Sequence, residues 1–239
     1  IAQIIPNQSI LVNTIALREA KASSAIENIF TTDDELYKAV SFQEQLEGPA
    51  KEIIHYREAI WKGYNEIKKS GQITMDLLVE LYRIVKSTRD GIRPYQCETV
   101  IVKRGFYALK GEVVYTPPRG KGVVEHLLED LLEFINDDKK YNINPIIKMI
   151  LSHYQFESIH PFRDGNGRVG RILCLLILLQ KGLIDYPILY LSAYIIQTKD
   201  GYYNTLNSIR GTQKWEDWIL YMLDAVCSTA EYKAEKIRK

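Results

Sequence analysis

Long apolar runs, paired cysteines and an excess of one charge are all missing from this sequence, and each absence closes off a class of protein. The longest apolar run, Ile172 to Leu179, ends at Gln180 and Lys181 and is too short to span a bilayer, so it reads as a buried helix and no membrane is expected. Cysteine occurs three times, at Cys97, Cys174 and Cys227. The count is odd, the spacings are wide, and no zinc or redox spacing appears. These read as idle or buried thiols in a reducing compartment, with Cys174 in the core. Lys and Arg number 31 against 30 Asp and Glu, so the clustered basic excess of a nucleic-acid footprint is absent. No block of like charge reads as a tail.

What is present is ordinary globular composition, 46% hydrophobic and 26% charged over 239 residues, enough for one domain with additions. The first residue is Ile rather than Met, so the natural N-terminus is expected upstream. A lost signal peptide, a cut C-terminus and a further domain stay open.

Apolar residues at helical spacing predict helices over 13–30, 34–46, 51–69, 75–86, 123–136, 143–157, 168–180, 192–196, 201–210 and 215–239. Thr74 suits an N-cap and Gly182 a C-cap. Between Arg89 and Gly122 the character changes, with Gly and Pro punctuation. There 99–103 and 112–115 read as two strands of a β-hairpin. The fold class that follows is mainly α with a small hairpin.

One segment gathers chemistry: His160-Pro161-Phe162-Arg163-Asp164-Gly165-Asn166-Gly167-Arg168-Val169-Gly170-Arg171, between two apolar helices. Gly165 and Gly167 allow unusual backbone and close approach of a ligand. The helix that follows presents free N–H groups and a partial positive charge, which suit an anion. Arg168 and Arg171 share a face of that helix, and guanidinium groups fork onto phosphate oxygens. Asp164 is a hard oxygen ligand suited to Mg2+ beside phosphates. His160 precedes Pro161, which favours an extended backbone there. Its imidazole suits a general base for an attacking hydroxyl. Phe162 reads as an apolar anchor. Each feature alone has an ordinary structural explanation, but those explanations do not account for their convergence in one turn-helix unit.

The segment resembles the signature of the Fic family, His-x-Phe-x-Asp/Glu-Gly-Asn-Gly-Arg-x-x-Arg, at every specified position, and the resemblance extends from about Met75 to about Tyr221. It implies a helical Fic core and transfer of AMP from ATP to a hydroxyl side chain of a target protein. In that scheme His160 is the base and Asp164 holds Mg2+. Asn166 with the amides of Gly165 and Gly167 forms an anion hole, while Arg168 and Arg171 hold phosphates. It also implies that the hairpin, about 99–115, is a flap that aligns the target by strand addition. Tyr115 is a candidate for packing near the nucleotide. Tyr203, from the Tyr202-Tyr203 and Leu206 run before Trp215 and Trp218, is a candidate to flank adenine.

Upstream, Ser23-Ser24-Ala25-Ile26-Glu27-Asn28 resembles the family's inhibitory motif, Ser/Thr-x-x-x-Glu-Gly/Asn. Ser23 and Glu27 are four apart, on one helix face. Glu27 is expected to pair in bidentate fashion with Arg171 and so keep it from the ATP γ-phosphate. The expected layout is an N-terminal extension over 1–72, with the inhibitory helix at about 13–30, then a Fic core over 73–225. A helix end over 226–239 would lead to a segment absent here. Cytoplasmic residence follows from ATP and reduced thiols. A homodimer is expected from family habit alone, and nucleic acid only if a missing C-terminal domain exists. Removal of AMP, another nucleotide donor, and a non-catalytic ATP-sensing regulator are the alternatives.

Overall fold

The computed structural model describes residues 8–41, 47–103 and 112–238, which form ten helices and one two-stranded hairpin. In chain order they are α1 (Gln8–Ile26), α2 (Asp33–Ser41), α3 (Gly48–Ser70), α4 (Met75–Lys86), β1 (Ile101–Lys103), β2 (Glu112–Tyr115), α5 (Val123–Asn136), α6 (Pro145–Ile159), α7 (Asn166–Gln180), α8 (Leu191–Gln197), α9 (Lys199–Thr212) and α10 (Trp215–Arg238). The mainly α class read from the sequence is the observed one. No helix among the described residues is long and apolar enough to cross a membrane.

Local chemistry sets most boundaries. Thr74 caps α4 by accepting from Leu77 N–H. Asn144 caps α6 by accepting from Ile146 N–H, and Pro145 follows where its missing donor costs nothing. Three expected boundaries move at the functional end, one of them the end of α6, which reaches Ile159 rather than 157. The first helix stops at Ile26 rather than running to residue 30, because Asn28 takes the left-handed conformation (φ 62°) and Ile29 N–H closes back on Ser24 O. Glu27 therefore sits in the turn beyond α1, not on its face. The helix of the signature starts at Asn166 rather than Arg168, so only Gly165 (φ 77°) remains in the turn and Gly167 is helical. Residues 42–46, expected to extend α2, and the hairpin tip 104–111 lie outside the described residues.

The centre of the core is α7, buried from Val169 to Leu179 and packed against α3, α4 and α6. Gly63 lets α3 come close, since a Cβ there would lie 2.8 Å from a Leu176 methyl. The helix α1 lies on α3 and α8 and reaches α7 near its first turn. In the hairpin, Ile101 pairs with Tyr115, Val102 with Val113 and Lys103 with Glu112, with an irregularity between Ile101 and Val102. A two-stranded sheet is marginal alone. Here Tyr115 OH ties it to the body by donating to Ser158 O at 3.0 Å.

Candidate active site

The signature loop joins the end of α6 to the start of α7. His160 closes α6: its N–H donates to Phe156 O, and its backbone is left-handed (φ 50°, ψ 59°). This corrects the expectation of an extended residue before Pro161. The proline does exclude the right-handed helical region, but the carbonyls ending α6 need donors, and a left-handed cap supplies one. Arg93 then grips the turn. Its Nε donates to His160 O at 2.8 Å, its Nη2 donates to Ile159 O and Pro118 O, and its backbone N–H donates to Pro161 O. Arg93 gave no sequence signal, because a single Arg in a Gly- and Pro-punctuated stretch has no partner spacing to reveal it.

Burial pushes the His160 imidazole down to about 4, and the charges of Arg93 and Arg210 push the same way. The ring is therefore neutral at pH 7, the form a base needs. Phe162 is fully buried and stacks on Tyr82 with centroids 4.2 Å apart, which confirms it as an anchor. The Asn166 side chain is engaged on both ends with the Phe162 backbone, accepting from its N–H and donating to its carbonyl. It staples the loop, which leaves the backbone N–H of Asn166 and one N–H of its amide for an anion.

Three cations converge on the first turns of α7, and each is closed by a carboxylate of the same chain. Lys86 Nζ lies 2.6 Å from Asp164 Oδ2, its stem crossing Gly165 where a side chain would obstruct it. Arg168 donates to Glu52 of α3 at 2.6 Å. Arg171 donates from Nη2 to Glu27 Oε1 at 2.7 Å and to Ser23 O at 3.0 Å, and from Nε to Ser23 Oγ at 2.8 Å. The bidentate Glu27–Arg171 fork expected from the sequence is thus replaced by one bond, because Ser23 occupies the other edge of the guanidinium. Sequence patterns gave no sign of Lys86 or Glu52, which come from other helices.

Burial would raise the Asp164 carboxyl, but Lys86, the Gly165 N–H and Arg168 outweigh it and hold it below its ordinary value. Its side chain is 69% exposed. An ionised, accessible carboxylate beside a helix N-terminus fits Mg2+, which takes one or two carboxylates and completes its shell with phosphate oxygens and water. No group of three or more His, Cys, Asp or Glu able to hold a metal occurs among the described residues.

A pocket of about 330 Å³ opens in front of this cluster. Glu27, Glu157, His160, Gly167 and Arg171 form one side, α9 contributes Tyr203 and Arg210 among others, and Ile101, Val102 and Val114 of the hairpin cover it. Tyr203 is half-exposed there and packs edge-on against Tyr202. Tyr115 does not reach the pocket wall: its ring lies under the Arg210 guanidinium at 3.8 Å and its hydroxyl faces α6. A larger hollow of about 720 Å³ lies on the outer side of α1, against α2, α8 and α10, and shares none of these residues.

The N-terminal profile of the Fic/DOC family matches residues 1–65, and the Fic/DOC family profile matches residues 72–178. Protein adenylyltransferase fic-1 of Caenorhabditis elegans is 30% identical over 140 residues, covering 59% of this chain and 25% of that protein. Protein adenylyltransferase Fic of Drosophila grimshawi is 30% identical over 116 residues, covering 48% and 22%. The aligned stretches thus span a quarter or less of those relatives. Among solved structures, a Fic family protein from Desulfovibrio desulfuricans superposes with a TM-score of 0.74 at 23% identity, covering 99% of this chain and 69% of that one. Fic-1 from C. elegans superposes with a TM-score of 0.70 at 22% identity, covering 93% and 64%. Two adjoining profile matches that take in most of the sequence, on a shared fold, show that the chain belongs to the Fic/DOC family.

Proposed function

We propose that the chain is a self-inhibited protein adenylyltransferase, moving AMP from Mg-ATP to a Ser, Thr or Tyr hydroxyl of a target protein. The observation that carries this reading is the Glu27–Arg171 pair, which shares one pocket with His160 at the start of α7. Relatives named protein adenylyltransferase support the reaction class. The layout that goes with it is an inhibitory N-terminal unit over 1–72 on a catalytic core over 73–225.

In this reading the triphosphate lies along the first turn of α7, where backbone N–H groups, Arg168 and Arg171 meet its oxygens. Neutral His160 takes the proton of the target hydroxyl as that oxygen bonds to the α-phosphorus. The bond to the pyrophosphate breaks, and pyrophosphate leaves with the electron pair. Asp164 would hold the Mg2+, which offsets charge on the phosphates. Tyr203 borders the nucleoside. The hairpin presents the target, and its exposed Val100, Val102, Val113 and Val114 suit strand addition.

Glu27 restrains the reaction by competing for Arg171. With the guanidinium taken, the γ-phosphate loses a partner and the α-phosphate is misaligned, and a misplacement of about 1 Å can slow transfer roughly 100-fold. The test is incorporation of label from α-labelled ATP with Mg2+ into the chain and into a lysate. Wild type, Glu27→Gly and Glu27→Gly with His160→Ala are compared. Label that rises with the first change and vanishes with the second supports both chemistry and brake. Equal labelling of wild type and Glu27→Gly refutes the brake. No label in any variant, with ATP still bound, overturns AMP transfer in favour of another donor, AMP removal or a non-catalytic sensor.

A further inference from the structure

Glu157 stands on α6 one turn before His160, is only 8% exposed, and lines the same pocket. Its carboxyl packs against the α7 backbone at Gly170, where a Cβ would stand 2.5 Å from Oε1. Gly170 immediately precedes Arg171. Oε1 is buried without a hydrogen-bond partner, and among the described residues no ion pair within 4.0 Å joins Glu157 to any cation. The guanidinium beside it is bonded to Ser23 and Glu27 instead. A carboxyl facing a pocket, next to an Arg that another carboxylate has taken, has no role in the transfer step described above.

We propose that Glu157 is the protonatable counterpart of whatever anion sits on Arg171: the carboxyl carries a proton while a carboxylate or phosphate occupies that guanidinium, and releases it when the guanidinium is vacated. The inference rests on Arg171 being the phosphate-binding residue of the proposed function.

The groups facing Glu157 are His153 and His160 on its own helix, Arg171 and Cys174 on α7, Glu27 in the turn after α1, and Tyr202, Tyr203 and Arg210 on α9. Burial holds both His neutral and pushes the Cys174 thiol and both Tyr hydroxyls up, so these are uncharged at pH 7. Two cations and Glu27 remain as the charges Glu157 meets. Burial raises its carboxyl to about 7, Arg171 and Arg210 oppose the rise, and Glu27 adds to it. Glu27 thus already acts on Glu157 as a bound phosphate would, and a phosphate brings more negative charge to the same place. Two anions side by side in a water-poor pocket do not both stay ionised. When Arg171 is vacated, an ionised Glu157 spares it from being a buried cation without a counter-charge.

The sign follows. An anion on Arg171 requires the proton, so nucleotide affinity is full below neutrality and declines as pH rises through it, by at most about tenfold per pH unit for one proton. The experiment is calorimetric titration of Mg-ATP into the full chain carrying Glu27→Gly and His160→Ala, from pH 6 to 8.5, in buffers of differing ionisation heat. The expected result is a dissociation constant that weakens above neutrality, with roughly half a proton or more taken up per nucleotide at pH 7. Both effects should disappear on adding Glu157→Gln. ATP binding with the same pH dependence in the chains with and without Glu157→Gln overturns the proposal. Should Glu157→Gln fail to fold, the buffer heats of the chain that keeps Glu157 decide alone, and no proton uptake overturns it. Absence of ATP binding at every pH instead refutes the nucleotide reading beneath it.

Discussion

Ser23 holds Arg171 twice, through Oγ at 2.8 Å from Nε and through its carbonyl at 3.0 Å from Nη2, whereas Glu27 holds it once. Ser23 is fully buried, while the Glu27 side chain is 32% exposed. The serine thus fixes the direction of the guanidinium, and the glutamate supplies its counter-charge, which in the proposed function competes with a phosphate. Ser23→Ala removes one bond of three and leaves the charge. Labelling from ATP is expected to rise about threefold to tenfold over wild type, less than one full hydrogen bond to a charged group contributes because two bonds to Arg171 remain. It should stay below the level of Glu27→Gly. Labelling equal to wild type would show that the Ser23 carbonyl and Glu27 suffice.

Arg93 holds the carbonyls of residues 159 and 160 and that of Pro118, where the hairpin returns, so it aligns His160 and the hairpin together. Arg93→Met keeps most of the volume and removes those bonds. In the Glu27→Gly background, turnover is expected to fall roughly 100-fold, the scale of a small misplacement of a catalytic group. ATP affinity measured by calorimetry should change little, because Arg93 touches neither Arg168 nor Arg171. A parallel loss of both quantities would mean that Arg93 supports the fold of the loop as a whole.

Phe162 fills a closed site against Tyr82 and Phe156. Phe162→Ala should destabilise the chain by about 3–5 kcal/mol, as large-to-small changes of buried aromatics do. Denaturant unfolding measures it. A loss under about 1 kcal/mol would mean the loop collapses into the gap and the ring is no anchor.

The pH profile tests His160. Its folded value, about 4, is below the ordinary 6.5, so the neutral ring is the folded form. The stability this brings is complete above about 6.5 and is lost as pH falls toward 4. For catalysis, the rate at saturating ATP in Glu27→Gly should show no acid limb near 6.5. A limb at that pH that moves with no other substitution would place His160 in water rather than under the hairpin.

The sequence made the chemistry of the signature legible because its residues are contiguous and their spacing fixes a turn followed by a helix. Thr74 and the edges of α4 and α5 were legible for the same local reason, whereas the Asn144 cap was not read and the helix it starts was expected from residue 143. Legibility ended where tertiary contact decides. Glu52 and Lys86 lie far from Arg168 and Asp164 in the chain and carry no pattern of their own. The left-handed His160 could not be read from Pro161, since a proline forbids one region without choosing between the others. The family resemblance assigned Asn166 to an anion hole, and only the structure shows its amide bonded through both oxygen and nitrogen to the Phe162 backbone.

The three closed cation–carboxylate pairs at the start of α7 also bear on how a ligand arrives. Lys86, Arg168 and Arg171 are each neutralised within 2.7 Å, so their summed field a Debye length away is that of paired dipoles rather than of three positive charges. A polyphosphate approaching such a mouth feels little long-range pull, and its encounter rate depends only weakly on ionic strength. Capture is then governed by how often a carboxylate swings aside. Asp164 is the most exposed of the three carboxylates, so in the proposed function it is the one that water frees most readily from its cation.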